Sequence, residues 1–352
     1  MAMTTSPTES ATDTAAAPPA AAQATTVTPR RRRLSTVLGW LHGVWKVAVG
    51  WRPPMRLIAA FAWAAVISNA LISVTGSVVR VTGSGLGCTT WPDCQPGTLV
   101  PEYRTGMAAI HQAIEFGNRT ITGIVLVASL GTFLLITLIR PARRGLLWLA
   151  AIGPIGVVAQ AVWGGIVVYT GLKWWTVMPH LLVSLVLLFA AVVTLVRLRE
   201  NDSPARLLVP RPLWLLSWLT VVVLGAVVVI GSLVTAAGPH AGDATTPRLD
   251  WDIRDSAQLH ADLMFLYLGL IAALGVGFLA IRAPRKLLVR MGWLVGITLG
   301  QGAVGLAQYF LGVPAGLVVL HVLGAVSLIA TAASVVMATR ERGPAPALTD
   351  RV

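Results

Sequence analysis

Eight long apolar runs, separated by short polar connections, dominate the chain between residues 57 and 339. Within each run apolar residues fall on every side of a would-be helix, the pattern of a segment enclosed by lipid or by other helices. A hydrocarbon core about 30 Å thick is crossed by about 20 residues in helical form. No water is present there to satisfy an open backbone, so such runs must be helices. The pattern predicts spans over 57–79, 107–139, 145–170, 174–197, 212–236, 257–281, 288–311 and 315–339. Residues 34–49 read differently. Leu34, Val37, Leu38, Leu41, Val44, Trp45 and Ala48 recur on one face among basic and polar residues, which predicts a helix lying on the membrane surface within an interfacial segment 34–56. His42 lies on it as an interfacial residue. Residues 1–33, rich in Ala, Thr, Pro and Ser and ending in Arg30–Arg33, read as a disordered tail. Residues 340–352 form a second tail.

The spans repeat. Gln160, Gly164, Gly171 and His180 recur as Gln301, Gly305, Gly312 and His321, each pair 141 positions apart, so a Q-x3-G-x6-G-x8-H pattern appears twice. Likewise Gly76-Ser77-Val78-Val79 matches Gly231-Ser232-Leu233-Val234. The fold class that follows is an all-α integral membrane protein, its eight helices arranged as two tandem four-helix bundles, 57–197 and 212–339. Each half has an even number of spans, so the two insert in the same orientation, a parallel repeat about an axis along the membrane normal.

Composition and charge sharpen this picture. The chain is 55% hydrophobic and 12% charged, about half the charge of a soluble domain. Its net charge of +13 does not point to nucleic acid, because the basic residues lie in clusters at alternate connections. Arg30–Arg33, Arg140, Arg143, Arg144, Arg197, Arg199, Arg206, Arg211, Arg282, Arg285, Lys286, Arg290, Arg340 and Arg342 fall on one side. The other side holds Arg80, Arg104, Lys173, Arg248 and Arg254. Both termini are therefore expected in the cytoplasm, with loops 80–106 and 237–256 outside. Cys88 and Cys94 lie in the first of these, on the oxidising side where a disulfide can persist.

Four of the six histidines fall within spans: His111, His180, His260 and His321, on the second, fourth, sixth and eighth helices. His180 and His321 lie about 9 Å from the outer ends of their helices, and His111 and His260 about 6 Å, so all four share a level. Ionisable groups in a span are costly and mark function. Two imidazoles facing across a bundle suit a heme held from both sides. An interhelical hydrogen bond is the plainer reading of any single one, and zinc would call for more ligands than either half offers. On the second span His111, Glu115, Asn118 and Arg119 share one helical face, where Glu115 and Arg119 could simply pair as neighbours one turn apart. The second half has only His260 and Asp262 at this point, so the halves are expected to differ in duty.

The stretch R-x-T-G-S-G-L-x-C-x-x-W-P-x-C from Arg80 to Cys94, the E-F-x-x-R element from Glu115 to Arg119 and the histidines of the even helices together resemble the heme A synthase family. The resemblance covers about residues 57–340. It implies a membrane oxidoreductase that oxidises a methyl group of heme O to the formyl group of heme A, for terminal oxidases, by successive hydroxylation and loss of water. It implies heme b in the C-terminal half on His260 and His321, and heme O in the N-terminal half with Glu115 and His180 at functional positions. It also implies a disulfide between Cys88 and Cys94. The family element usually reads E-x-x-H-R, with the histidine as a heme ligand, whereas this chain has Asn118. Either His111 takes that role or His180 holds the heme O iron alone. Ala261 likewise follows His260 where the family commonly has Arg. Arg119 and Arg80 are candidates for heme propionates, since a guanidinium matches a carboxylate in a two-pronged fork; interfacial snorkelling is the alternative. His240, in the loop matching the cysteine loop, is a candidate cover for the second heme. The expected partners are heme O, a heme O synthase, an electron acceptor and membrane lipid, with room for a homo-oligomer, and the expected location is a bacterial plasma membrane.

Two other functions use the same residues. A diheme b-type electron-transfer protein would need the histidines but neither Glu115 nor the cysteine loop. A transporter would place its polar residues at the bilayer midplane, whereas here they gather at the outer level.

Overall fold

The computed structural model describes residues 51–102 and 107–344. The tail 1–33, the surface helix expected at 34–49 with His42, Arg104 and residues 345–352 lie outside the described residues. Eight long apolar helices are present: α1 (Met55–Val81), α2 (Met107–Thr137), α3 (Arg144–Tyr169), α4 (Trp174–Leu198), α5 (Arg211–Ala237), α6 (Ile253–Ala280), α7 (Arg285–Phe310) and α8 (Ala315–Ala338). The protein is a multi-pass membrane protein. Large apolar side chains that would aggregate in water, such as Trp148, Phe265, Trp293 and Phe310, stay exposed on the outer faces of the helices, as contact with lipid requires.

Helix ends follow local chemistry. Helix α6 begins at Ile253, four residues before the apolar run, because the Asp252 carboxylate caps it. That side chain accepts from the backbone N–H of Arg254 at 2.7 Å and of Asp255 at 3.3 Å, satisfying donors that the first turn leaves unpaired. Helices α1, α5, α7 and α8 each follow a proline, Pro54, Pro210, Pro284 and Pro314, which cannot extend a helix backward. After α3 and α7 the chain reverses through Gly171-Leu172 and Gly312-Val313, all four at left-handed φ of 57–71°. Leucine and valine there cost about 1–2 kcal/mol each, a strain present at the same place in both halves.

Helix contacts form two rings. In the first, α1 packs on α2, α2 on α3, α3 on α4 and α4 on α1; in the second, α5 to α8 close in the same order. The rings meet through α4 on α8, flanked by α1 on α8 and α4 on α5. The densest core lies away from the cysteine loop. Ile58, Leu146, Leu188, Leu198, Ile271, Leu274, Phe278, Leu287 and Leu294 are fully buried there. Of the large fully buried side chains only Gln112 belongs to the turns nearest that loop, so the histidine level is distinct from the packed core.

At the end opposite the cysteine loop the connection between the halves is tied down by charge, and by backbone pairing to the segment after α8. Arg143 donates to Asp202 Oδ1 at 3.1 Å and to the carbonyl of Arg197 at 3.0 Å. Arg197 in turn donates to Glu200 at 2.9 Å and to Asp202 at 3.1 Å. Burial works to raise the Asp202 carboxyl, but Arg143 and Arg197 hold it below its ordinary range. A two-residue strand β1 (Arg206–Leu207) pairs antiparallel with β2 (Arg340–Glu341), and Asn201 N–H donates to the carbonyl of Gly343 at 2.7 Å. Hydropathy gave no sign of this pairing, since each strand is only two residues long.

Candidate functional site

The cysteine loop is built onto α2 and α3. Cys88 and Cys94 are fully buried and form a disulfide. Glu115, 5% exposed, accepts from the backbone N–H of Cys88 through Oε2 at 2.7 Å and from Arg119 Nη2 through Oε1 at 2.6 Å. The Arg119 guanidinium also donates to the carbonyls of Thr90 at 2.8 Å, Cys88 at 3.2 Å and Asp93 at 3.2 Å. The two side chains on one face of α2 therefore act as a clamp on the loop, the carboxylate binding its N–H and the guanidinium its carbonyls. Trp91 lies over Gly165 of α3, where an added Cβ would meet its ring at 3.1 Å, and Tyr169 donates to its carbonyl at 2.7 Å.

His111 sits beneath this loop, its Nδ1 2.8 Å from Ser84 Oγ. Gly87 rests on the α2 backbone, because a Cβ there would lie 2.6 Å from the His111 carbonyl oxygen. Gly87→Ala is accordingly expected to lift the loop, at a cost of about 1–3 kcal/mol for overpacking, and to expose the disulfide. Its reduction by a hydrophilic phosphine, followed by thiol labelling, should run at least several-fold faster than in the wild type.

Arg80 reaches across to the other half, donating to the carbonyls of His240 at 2.5 Å and Thr235 at 2.9 Å. His240 pairs through Nε2 with the Val313 carbonyl at 2.9 Å, so both residues tie the segments at this end of the helices together. Gly85 N–H donates to Gly242 O at 2.9 Å. Beside it, Asp243 is held below the ordinary carboxylate range by hydrogen bonds from the Thr245 hydroxyl and N–H, with a smaller contribution from His111.

The histidine seats of the two halves correspond closely. Gln160 Nε2 donates to the His180 carbonyl at 2.6 Å, and Gln301 Nε2 donates to the His321 carbonyl at 2.8 Å. A Cβ on Gly164 would stand 3.6 Å from His180 Cε1, and one on Gly305 would stand 3.5 Å from His321 Cε1. In both rings Nδ1 is buried without a partner, a costly state for a polar atom unless the ring serves something else. His260 packs over Gly231, whose Cβ would lie 2.8 Å from Cε1, and pairs through Nδ1 with the Val227 carbonyl at 3.0 Å. The His260 and His321 ring centroids are 6.4 Å apart. A metal bonds imidazole nitrogen at about 2 Å, so two rings sharing one ion stand about 6 Å apart. Among the described residues no group of three or more His, Cys, Asp or Glu is placed to hold a bare metal ion. The C-terminal seat offers two imidazoles, a donor pair that suits a group bringing further ligands of its own, as a heme does.

Asn118 takes another arrangement, its Oδ1 accepting from the Thr75 hydroxyl at 2.7 Å. Sequence reading missed Thr75, Ser84 and Val227. Thr75 was within reach, since it adjoins Gly76 at the start of a recognised repeat, where the other half has Ile230.

A family model described as cytochrome oxidase assembly protein, COX15-CtaA, matches residues 59–333. A Lysinibacillus sphaericus protein named heme A synthase is 36% identical over 118 residues, 31% of this chain and 36% of that protein. A Geobacillus thermodenitrificans protein of the same name is 25% identical over 146 residues, 40% of this chain and 43% of that protein. A Thermus thermophilus protein named protoheme IX farnesyltransferase is 34% identical over 83 residues, 23% of this chain but only 13% of that protein. In each case the matched stretch spans less than half the relative's length.

Proposed function

The chain belongs to the COX15-CtaA family of cytochrome oxidase assembly proteins, and from that premise we propose that it is a heme A synthase, oxidising a methyl group of heme O to a formyl group. The observation that carries this reading is the repeated histidine seat, Gln160 with His180 and Gln301 with His321, joined in only one half to the Glu115–Arg119 clamp and the disulfide loop. One half is equipped to hold a heme and the other to hold one under a built cover. The relatives named heme A synthase support the same assignment.

In this reading His260 and His321 hold heme b, which when bound supplies one-electron exchange. Gln301 fixes the backbone of α8 at His321, and the Val227 carbonyl orients the His260 ring, so both imidazoles are set before the cofactor arrives. His180 holds heme O in the first half. The disulfide loop, held by Glu115 and Arg119, covers that site and limits water, with Glu115 as its candidate catalytic carboxylate. Because Arg119 donors are directed to Glu115 and three loop carbonyls, we assign it to positioning the loop; Arg80, bonded to the Thr235 and His240 carbonyls, is given the corresponding role between halves. The farnesyl tail lies along apolar helix faces. The basic residues Arg140, Arg143, Arg144, Arg197 and Arg206 all lie at the end away from the cysteine loop, which supports cytoplasmic termini and an outward-facing site in a bacterial plasma membrane. A heme O synthase is the expected supplier of substrate, a pairing supported by the match to a farnesyltransferase.

The test is to supply purified protein in lipid nanodiscs with heme O, a reductant and air, then extract and chromatograph the hemes. Heme A formed by the wild type and not by His180→Ala supports the proposal. Two retained heme B groups with no conversion would assign the protein to electron transfer instead.

A further inference from the structure

The two halves differ at one seat. The offset of 155 positions that relates Gly76 to Gly231 also relates Ile72 to Val227. In the C-terminal half the imidazole of His260 fills this place, over Gly231 and against the Val227 carbonyl. In the N-terminal half Asn118 occupies the corresponding stretch of α2. Its carboxamide is bound by the Thr75 hydroxyl at 2.7 Å, and that hydroxyl is itself 3.2 Å from the Ile72 carbonyl. The amide is thereby kept against the α1 wall. Above Gly76 nothing lies within 4 Å of an added Cβ, whereas at Gly231 the His260 ring stands 2.8 Å away. The facing seats, His180 and His321, are alike in their glutamine lock and in the glycine beneath the ring.

No other base on α2 replaces the missing imidazole. His111 lies seven residues from Asn118, about 10 Å along the helix, and meets Ser84 under the cysteine loop. Both oxygens of Glu115 are occupied by Cys88 N–H and Arg119. An amide is a poor ligand for iron, while an imidazole on each side closes both axial positions.

We infer that Asn118 leaves one axial face of the heme in the N-terminal half without a protein ligand, so that this half binds a small neutral diatomic molecule and the C-terminal half does not. The inference rests on the reading of His180 as a heme seat. The carboxamide beside the open face adds a polar group of the kind that tunes such ligands in heme pockets.

The experiment uses full-length protein in nanodiscs, loaded with heme B as the probe, reduced with dithionite and titrated with carbon monoxide. The readout is the carbon monoxide difference spectrum, with heme content measured on the same sample. The wild type is expected to bind one carbon monoxide per chain. His180→Ala should lose that signal together with one heme, and Asn118→His should keep the heme but bind carbon monoxide at least tenfold more weakly. A heme that depends on His180 yet resists carbon monoxide in the wild type overturns the inference, and recovery of binding in His111→Ala would name the residue that closes the face. Heme content unchanged by His180→Ala would instead overturn the reading of that half as a heme site, and the inference with it.

Discussion

His321→Ala is expected to strip the C-terminal half of its heme, leaving less than about a tenth of the wild-type content at that seat. An imidazole pair holds heme by two bonds, and the His260 and His321 ring centroids stand 6.4 Å apart, close to the spacing two rings sharing one iron require. With one imidazole gone, the other makes a single bond in a seat built for two, and the heme and its doubly ligated low-spin absorption are lost together. Gln301→Leu is a milder form of the same experiment. It leaves both rings but removes the amide that fixes the His321 backbone, and loss of such outer partners weakens binding by about 10–100-fold. Heme content by pyridine hemochrome and the visible spectrum of each purified variant decide the matter. Wild-type heme in His321→Ala would refute the assignment.

The second large effect is expected from Glu115→Ala. This carboxylate is buried and receives two donors, Cys88 N–H and Arg119. Removing it leaves a guanidinium largely enclosed without its counter-charge, a change that costs about 3–5 kcal/mol when such a pair is broken. The loop should loosen and heme A formation should fall by at least about a hundredfold. Glu115→Gln separates position from charge. It retains an oxygen for Cys88 N–H but no charge for Arg119. If Gln restores protection of the disulfide from reductant while conversion stays low, the carboxylate acts on the substrate; if conversion returns with the loop, Glu115 is a positioning residue.

The helices and the repeat were legible in the sequence because lipid imposes one solution on an apolar run, and because a repeated glutamine–glycine–histidine pattern is hard to produce by accident. Span limits agreed to within a few residues, apart from α6, where Asp252 moved the start outward. The histidine seats were legible as residues but not as geometry. That Gln160 and Gln301 hold carbonyls one helix away depends on helix packing, which spacing along one helix cannot reveal. The same is true of Glu115 and Arg119. Their spacing of four gave the ion pair, yet their larger task, holding four atoms of a loop some 25 residues earlier, arises only when α2 is docked. His111 shows the converse. Depth along the helix put it level with His260, whereas the contacts put Asn118 at that seat and His111 two turns away beside Ser84.

The stitching of β1 to β2, with Arg340 reaching Glu200 and Gly343 accepting from Asn201, has a consequence for biogenesis. The connection between the halves is synthesised roughly 140 residues before the strand that pairs with it. The first four helices must therefore enter the membrane and close their ring while this connection is still unpaired. The final turn of α8 and the residues after it then complete the seam, so the mutual fastening of the halves at this end waits until α8 has been made.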